Sequence, residues 1–242
     1  DLYALSNIVE LKNKNKDIHI TCISMGSLKA KNVLIRCRAI GADDVILLSD
    51  EAFAGSDTYA TIYILEQAIK KIGCFDIIVC GKKAVDGETG QVGYGLAYRL
   101  GVDCFTQVNE ILEVNGKNDI STFGNEIPDN KYSGTITFSH INEENEETIK
   151  TPTPVMLIFG PFMTQKNISL LCLKRSIKKP VTVWDHDTLN SEVSLCGLKG
   201  SKTKVLNVKS MMDKKENVVL EGTIDEKAEQ FLRILKIEEI KK

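Results

Sequence analysis

Two rhythms of apolar residues alternate over roughly the first hundred positions. One has helical spacing and the other consists of short continuous runs. Leu2, Leu5, Ile8, Val9 and Leu11 trace a helical face across residues 1–12, and residues 18–24 follow as a strand. A helix over 28–40 carries Ala30, Val33, Leu34, Cys37 and Ile40 on one face and stops at Gly41. A strand at 45–48 leads to a helix over 57–72, capped by Ser56 or Asp57, striped by Ile62, Leu65, Ile69 and Ile72, and ended at Gly73. Strand 76–80, a glycine-rich loop and a helix over 90–100 complete the series. Helices alternating with continuous apolar strands predict an α/β fold, a three-layer α/β/α arrangement around a mostly parallel sheet. An α/β domain ordinarily opens on a strand, and this chain opens on a helix, so a first strand is expected ahead of residue 1.

Beyond residue 104 the texture changes. Residues 107–114, 132–139 and 148–150 read as strands, with the acidic run 143–147 at a hairpin tip, and residues 155–159 read as a buried strand. Between 160 and 217 periodicity is poor, which marks loops that act or dock. This stretch holds the basic segment 174–179 and the lone tryptophan, Trp184. Near the end, Thr223 and Glu226 have capping-box spacing, and Ala228, Phe231, Leu232 and Leu235 form one apolar stripe. That helix packs either on another subunit or back on its own core. The expected division is an α/β domain at 1–165, a recognition and partner-docking segment at 166–217, and a helical arm at 218–242.

Composition narrows the classes. The chain has 242 residues, 43% hydrophobic and 26% charged, with a net charge of −2, so no basic surface invites nucleic acid. No apolar run approaches the roughly 18 residues of a membrane span. Seven cysteines without a C-x-x-C pair suit a reducing cytoplasm, and three scattered histidines give no metal-ligand spacing.

The chemistry concentrates in residues 81–93, Gly-Lys-Lys-Ala-Val-Asp-Gly-Glu-Thr-Gly-Gln-Val-Gly. A glycine-rich turn between strand end and helix start is where backbone N–H groups and the positive helix end meet an anion. Gly87, Gly90 and Gly93 let the backbone approach a ligand, and Asp86 and Thr89 add polar groups for phosphate or ribose. The spacing is neither a Walker loop nor G-x-G-x-x-G, so glycine count alone fits a plain crossover loop equally well.

Several segments together carry a resemblance. They are Ser24-Met-Gly26, residues 39–43, residues 52–58, residues 80–93, residues 178–184 and residues 198–204. In this order they resemble the beta subunit of electron transfer flavoprotein over nearly the whole chain. The resemblance implies a Rossmann-like, adenine-nucleotide-binding fold and a heterodimer with an alpha subunit. It implies no catalytic residue and no metal in this chain. It places Ser24, Met25 and Gly26 beside the adenosine. Asp86, Gly87, Thr89, Gly90, Gln91, Val92 and Gly93 are placed beside the phosphates and the ribitol or ribose. Family members that hold structural AMP tend to read Asp-Asp-Asp-Cys-Asn-Gln-Thr-Gly where residues 86–93 read Asp-Gly-Glu-Thr-Gly-Gln-Val-Gly. The latter is similar to the flavin-bifurcating branch. It implies FAD reduced by NADH, with electrons passing to an acyl-CoA dehydrogenase-type protein and to ferredoxin or flavodoxin. AMP remains the alternative.

Leu170 matches the leucine with which the family anchors its dehydrogenase partner, while residues 160–167 depart from the usual Asn-Glu-Pro-Arg-Tyr before it. Two other functions compete with this reading. One is a nucleotide-binding module without redox work. The other is an adenylating or ATP-hydrolysing enzyme, disfavoured because no lysine-bearing Walker loop is present.

Overall fold

The computed structural model describes residues 1–85, 87–116, 134–142, 145–160, 168–206 and 219–234. The chain divides into two compact units, 1–204 and 205–242. In the first, α1 (Leu2–Lys14), β1 (Thr21–Met25), α2 (Lys31–Ile40), β2 (Asp44–Leu48), α3 (Thr58–Ile72), β3 (Ile77–Gly81) and α4 (Val92–Leu100) follow the expected alternation. The long strand β4 (Asp103–Gly116), then β5 (Gly134–Ile141), β6 (Glu146–Pro152) and β7 (Val155–Phe159), come next.

The strands form two sheets, β1-β2-β8 and β3-β7-β4-β5-β6, with β8 at Thr182–Trp184. Pairing is parallel throughout the first sheet and across β3, β7 and the start of β4, while β4, β5 and β6 pair antiparallel. β4 changes partner along its length, and its register shifts between Phe105 and Val108 and twice more before Glu113.

Side-chain alternation explains the layers. Val45 and Leu47 of β2 pack with Leu5 and Val9 of α1 and Leu34 and Cys37 of α2. Ile46 and Leu48, pointing the other way, pack with Tyr63, Ile64 and Ala68 of α3. On β7, Val155, Leu157 and Phe159 join Ala4 and Leu11 of α1, while Met156 joins Ile62 of α3 and Leu96 of α4. A strand buried on both faces therefore has α1 or α2 on one side and α3 or α4 on the other. β2 and β7 are almost wholly buried. β1 and β3 are half-buried along their whole length, and each pairs on one edge only among the described residues.

The stretch that lacks periodicity is more regular than expected. It holds α5 (Leu170–Ile177), β8, α6 (His186–Leu189) and α7 (Gly197–Gly200), all within the first unit. These elements have three to eight residues, too short for an apolar stripe to show. The Arg38 guanidinium of α2 helps fix them, donating to the carbonyls of Lys179 at 3.0 Å and Pro180 at 2.8 Å.

In the second unit, α8 (Ile224–Ile234) opens on the expected capping box. Thr223 N–H donates to the Glu226 carboxylate at 2.7 Å, and Glu226 N–H returns to Thr223 Oγ1 at 3.4 Å. No side chain of α8 is buried, and Leu235 lies outside the described residues.

Candidate nucleotide-binding site

Parallel strands point their C-terminal ends at one rim, where α/β folds collect ligands. Here β1 ends at Met25, β2 at Leu48 and β3 at Gly81. Gly26 N–H extends the β1–β2 ladder by donating to Leu48 O at 3.0 Å, which holds the turn after β1 against the end of β2. Ser24, Met25 and Gly26 are half-buried at this rim. The Met25 side chain packs against the apolar cluster below α3, which leaves backbone groups to meet a ligand.

The loop from 81 to 91 leaves the end of β3 and is mostly exposed. Glu88 N–H donates to Ala84 O at 3.2 Å and closes a turn. Glu88 (φ 50°) and Gly90 (φ 64°) are both left-handed, and at Gly90 glycine removes the steric cost of that conformation. A Cβ on Gly87 would meet nothing within 4 Å, so the loop is open there. Lys83 Nζ pairs with the Glu88 carboxylate at 3.2 Å. Asp86, one of the expected ligand residues, lies outside the described residues.

Gly93 decides how close α4 comes to the sheet. A Cβ there would stand 2.7 Å from Ile158 Cδ1 and 2.9 Å from Cys80 Sγ. Its absence lets the start of α4 sit directly over the strand ends. Val92 packs into the core beside Cys80 and Ile23, so its side chain faces away from the loop. The first bond into the helix is Gly95 N–H to Gln91 O at 3.0 Å, so the amides of Val92, Gly93 and Tyr94 belong to the unpaired first turn. Unpaired amides at the positive end of a helix are a candidate anion seat. Burial pushes the Cys80 thiol up to about 12, so it stays neutral beside that seat.

The expected residues therefore divide into two clusters at strand ends in two different sheets. Gly87, Thr89, Gly90, Gln91, Val92 and Gly93 are contiguous on the loop and helix start. Ser24–Gly26 is linked to them through the core, where Ile23 of β1 packs on the same cluster as Val92. The sequence reading missed a third component. Thr58 Oγ1 lies 3.3 Å from Thr89 Oγ1, and Asp57 beside it binds residues 202 and 203. Residues 52–58 and 198–204 had each drawn attention, but no spacing rule joins segments so far apart.

Leu170 stands at the first position of α5, 77% exposed, with Leu171 also exposed and Lys174 and Arg175 following in the last turn. Residues 161–167, ahead of it, lie outside the described residues.

A phosphate placed at this helix start would meet backbone donors. Among the described residues no cluster of His, Cys, Asp and Glu could hold a metal. No helix there is long and apolar enough to cross a membrane.

The chain is 33% identical to the electron transfer flavoprotein subunit beta of Clostridium acetobutylicum over 98% of its own length and 85% of the relative's. It is 30% identical to subunit CarD of the caffeyl-CoA reductase-Etf complex of Acetobacterium woodii, over 92% of this chain and 79% of that one. It is 31% identical to the acryloyl-CoA reductase electron transfer subunit gamma of Anaerotignum propionicum, over 96% and 83%. Residues 1–185 match the electron transfer flavoprotein domain, and with relatives this similar along nearly the whole chain, the protein belongs to the electron transfer flavoprotein family, among its beta subunits.

Proposed function

We propose that this beta subunit pairs with an alpha subunit and holds FAD on the rim formed by Ser24–Gly26 and residues 81–93. NADH then delivers an electron pair that is divided between an acyl-CoA dehydrogenase-type partner and a low-potential ferredoxin or flavodoxin. The observation that carries this reading is the Gly93 contact. It brings three unpaired amides to the rim at the point where the open, left-handed loop delivers Thr89. Those groups fit a diphosphate, and FAD bound there supplies the exchange between two-electron and one-electron steps. The chain's own residues bind and orient it. One relative is named as a subunit of a caffeyl-CoA reductase-Etf complex and another as an electron transfer subunit of acryloyl-CoA reductase, which supports a partner acting on CoA thioesters. Leu170 and the basic end of α5 form its docking point, an exposed leucine within a charged surround. The bare apolar face of α8 serves as an arm against another subunit.

A second reading, structural AMP here with FAD mainly on the alpha subunit, is favoured by the Glu88 carboxylate that the loop retains. Purifying the heterodimer, counting its flavins and titrating it anaerobically with NADH separates the two. Two FAD per heterodimer, both bleached by NADH, supports bifurcation. One FAD with one AMP rules it out.

A further inference from the structure

Asp57 makes more hydrogen bonds than capping a helix requires. One carboxylate oxygen accepts the Ala60 N–H at 3.0 Å, the usual cap of α3. The other accepts three donors from about 145 positions further on: Lys202 N–H at 2.7 Å, Thr203 N–H at 2.8 Å and Thr203 Oγ1 at 3.0 Å. Asp57 N–H donates to Ser201 Oγ at 2.8 Å, and that hydroxyl donates to Gly197 O at 2.7 Å. The two residues that follow make further contacts. Thr58 reaches Thr89 of the glycine loop at 3.3 Å. The Tyr59 ring lies between Lys202 Nζ, 5.1 Å from its centroid, and the Arg99 guanidinium of α4 at 5.2 Å.

We propose that Asp57 and Thr58 form a relay in which Asp57 is the positioning residue. An anionic nucleotide on the glycine loop and the bonds from Lys202 and Thr203 to Asp57 stabilise one another. This rests on the reading that the loop holds an adenine nucleotide. A threonine hydroxyl carries one proton and two acceptor sites. Gln91 N–H approaches Thr89 Oγ1 at 3.5 Å, and when Thr58 donates across the hydroxyl contact, the Thr89 proton is left for a phosphate oxygen. A phosphate taking that proton polarises the chain of hydroxyls and strengthens the Thr58 bond. This fixes the start of α3, on which Asp57 stands. Burial opposes ionisation of Asp57, but the Ala60 and Thr203 amides outweigh it and hold the carboxyl below its usual range, so it is a charged acceptor. Coupling of this kind is reciprocal. Residues 201–204 end the first compact unit.

The Lys202 and Thr203 amides are themselves the reporters. Hydrogen exchange at these positions is measured in the full chain, free and saturated with AMP or FAD, with saturation established by equilibrium dialysis. The relay predicts that nucleotide slows their exchange at least about fivefold. Thr58→Val, compared at its own re-established nucleotide saturation, abolishes the slowing, and Thr58→Ser restores it. Bound nucleotide without slowing, or equal slowing in Thr58→Val, overturns the relay alone. Failure of both nucleotides to bind overturns the functional reading beneath it as well.

Discussion

A carboxylate as buried as Glu66 persists as a charge only when its partners replace the water it has lost. Its two oxygens meet Lys70 Nζ at 2.8 Å and an Arg99 guanidinium nitrogen at 2.6 Å, and Arg99 in turn lies over the rings of Tyr59 and Tyr63. Burial raises the Glu66 pKa, but the two cations more than offset this, so the carboxyl titrates below its ordinary 4.5. A lowered folded-state value stabilises above about 4.5 and is lost as pH falls through it. Glu66→Ala is therefore expected to cost about 2–3 kcal/mol near neutral pH in a denaturant titration. It should also remove part of the wild-type loss of stability in acid. His186 works in the opposite sense. Its bond to Asp50 at 2.8 Å raises its pKa above 6.5 against the opposing cost of burial, with Asp187 adding to the effect. That contribution is complete below about 6.5 and disappears as pH rises through the raised value. Thermal melts of His186→Gln should show a weaker decline between neutral and mildly alkaline pH than wild type. NMR titration of the ring should give a pKa above the ordinary value.

Gly93 ties α4 to β3 and β7, and Gly93→Ala tests that contact. The new methyl meets Ile158, 2% exposed, and Cys80, so overpacking should cost about 1–3 kcal/mol, read as a lower melting temperature, and lift the first turn off the rim. The alternation from α1 to α4 was legible because each element is long enough to show its period. Stops at Gly41 and Gly73, and Asp57 of the two cap candidates, fell where their chemistry demands. The box at Thr223 was equally plain, since both partners lie within one helical turn. β8 was invisible because a three-residue strand has no period, although it occupies the third place in its sheet. The partner change of β4 was hidden as well, because register shifts depend on the neighbouring strands and not on local composition.

For the whole molecule, the glycine loop was readable as the turn between β3 and α4, but its supports were not. Hydrogen bonds from the Lys202 and Thr203 amides to Asp57 cross most of the chain, and only folding brings them together. Partner docking belongs here too. Leu170→Ala should slow electron transfer to the dehydrogenase-type partner about tenfold, as loss of an interface anchor does, and leave NADH bleaching of the heterodimer unchanged. The most direct test of the account is mass determination of the small molecules released when the purified heterodimer is denatured, for wild type and for Gly90→Asp. That substitution puts a carboxylate on the loop at a left-handed position. The account predicts two equivalents of FAD from wild type and loss of one from the variant. Release of no nucleotide beyond the alpha subunit's flavin, or the same two equivalents from both proteins, would contradict it.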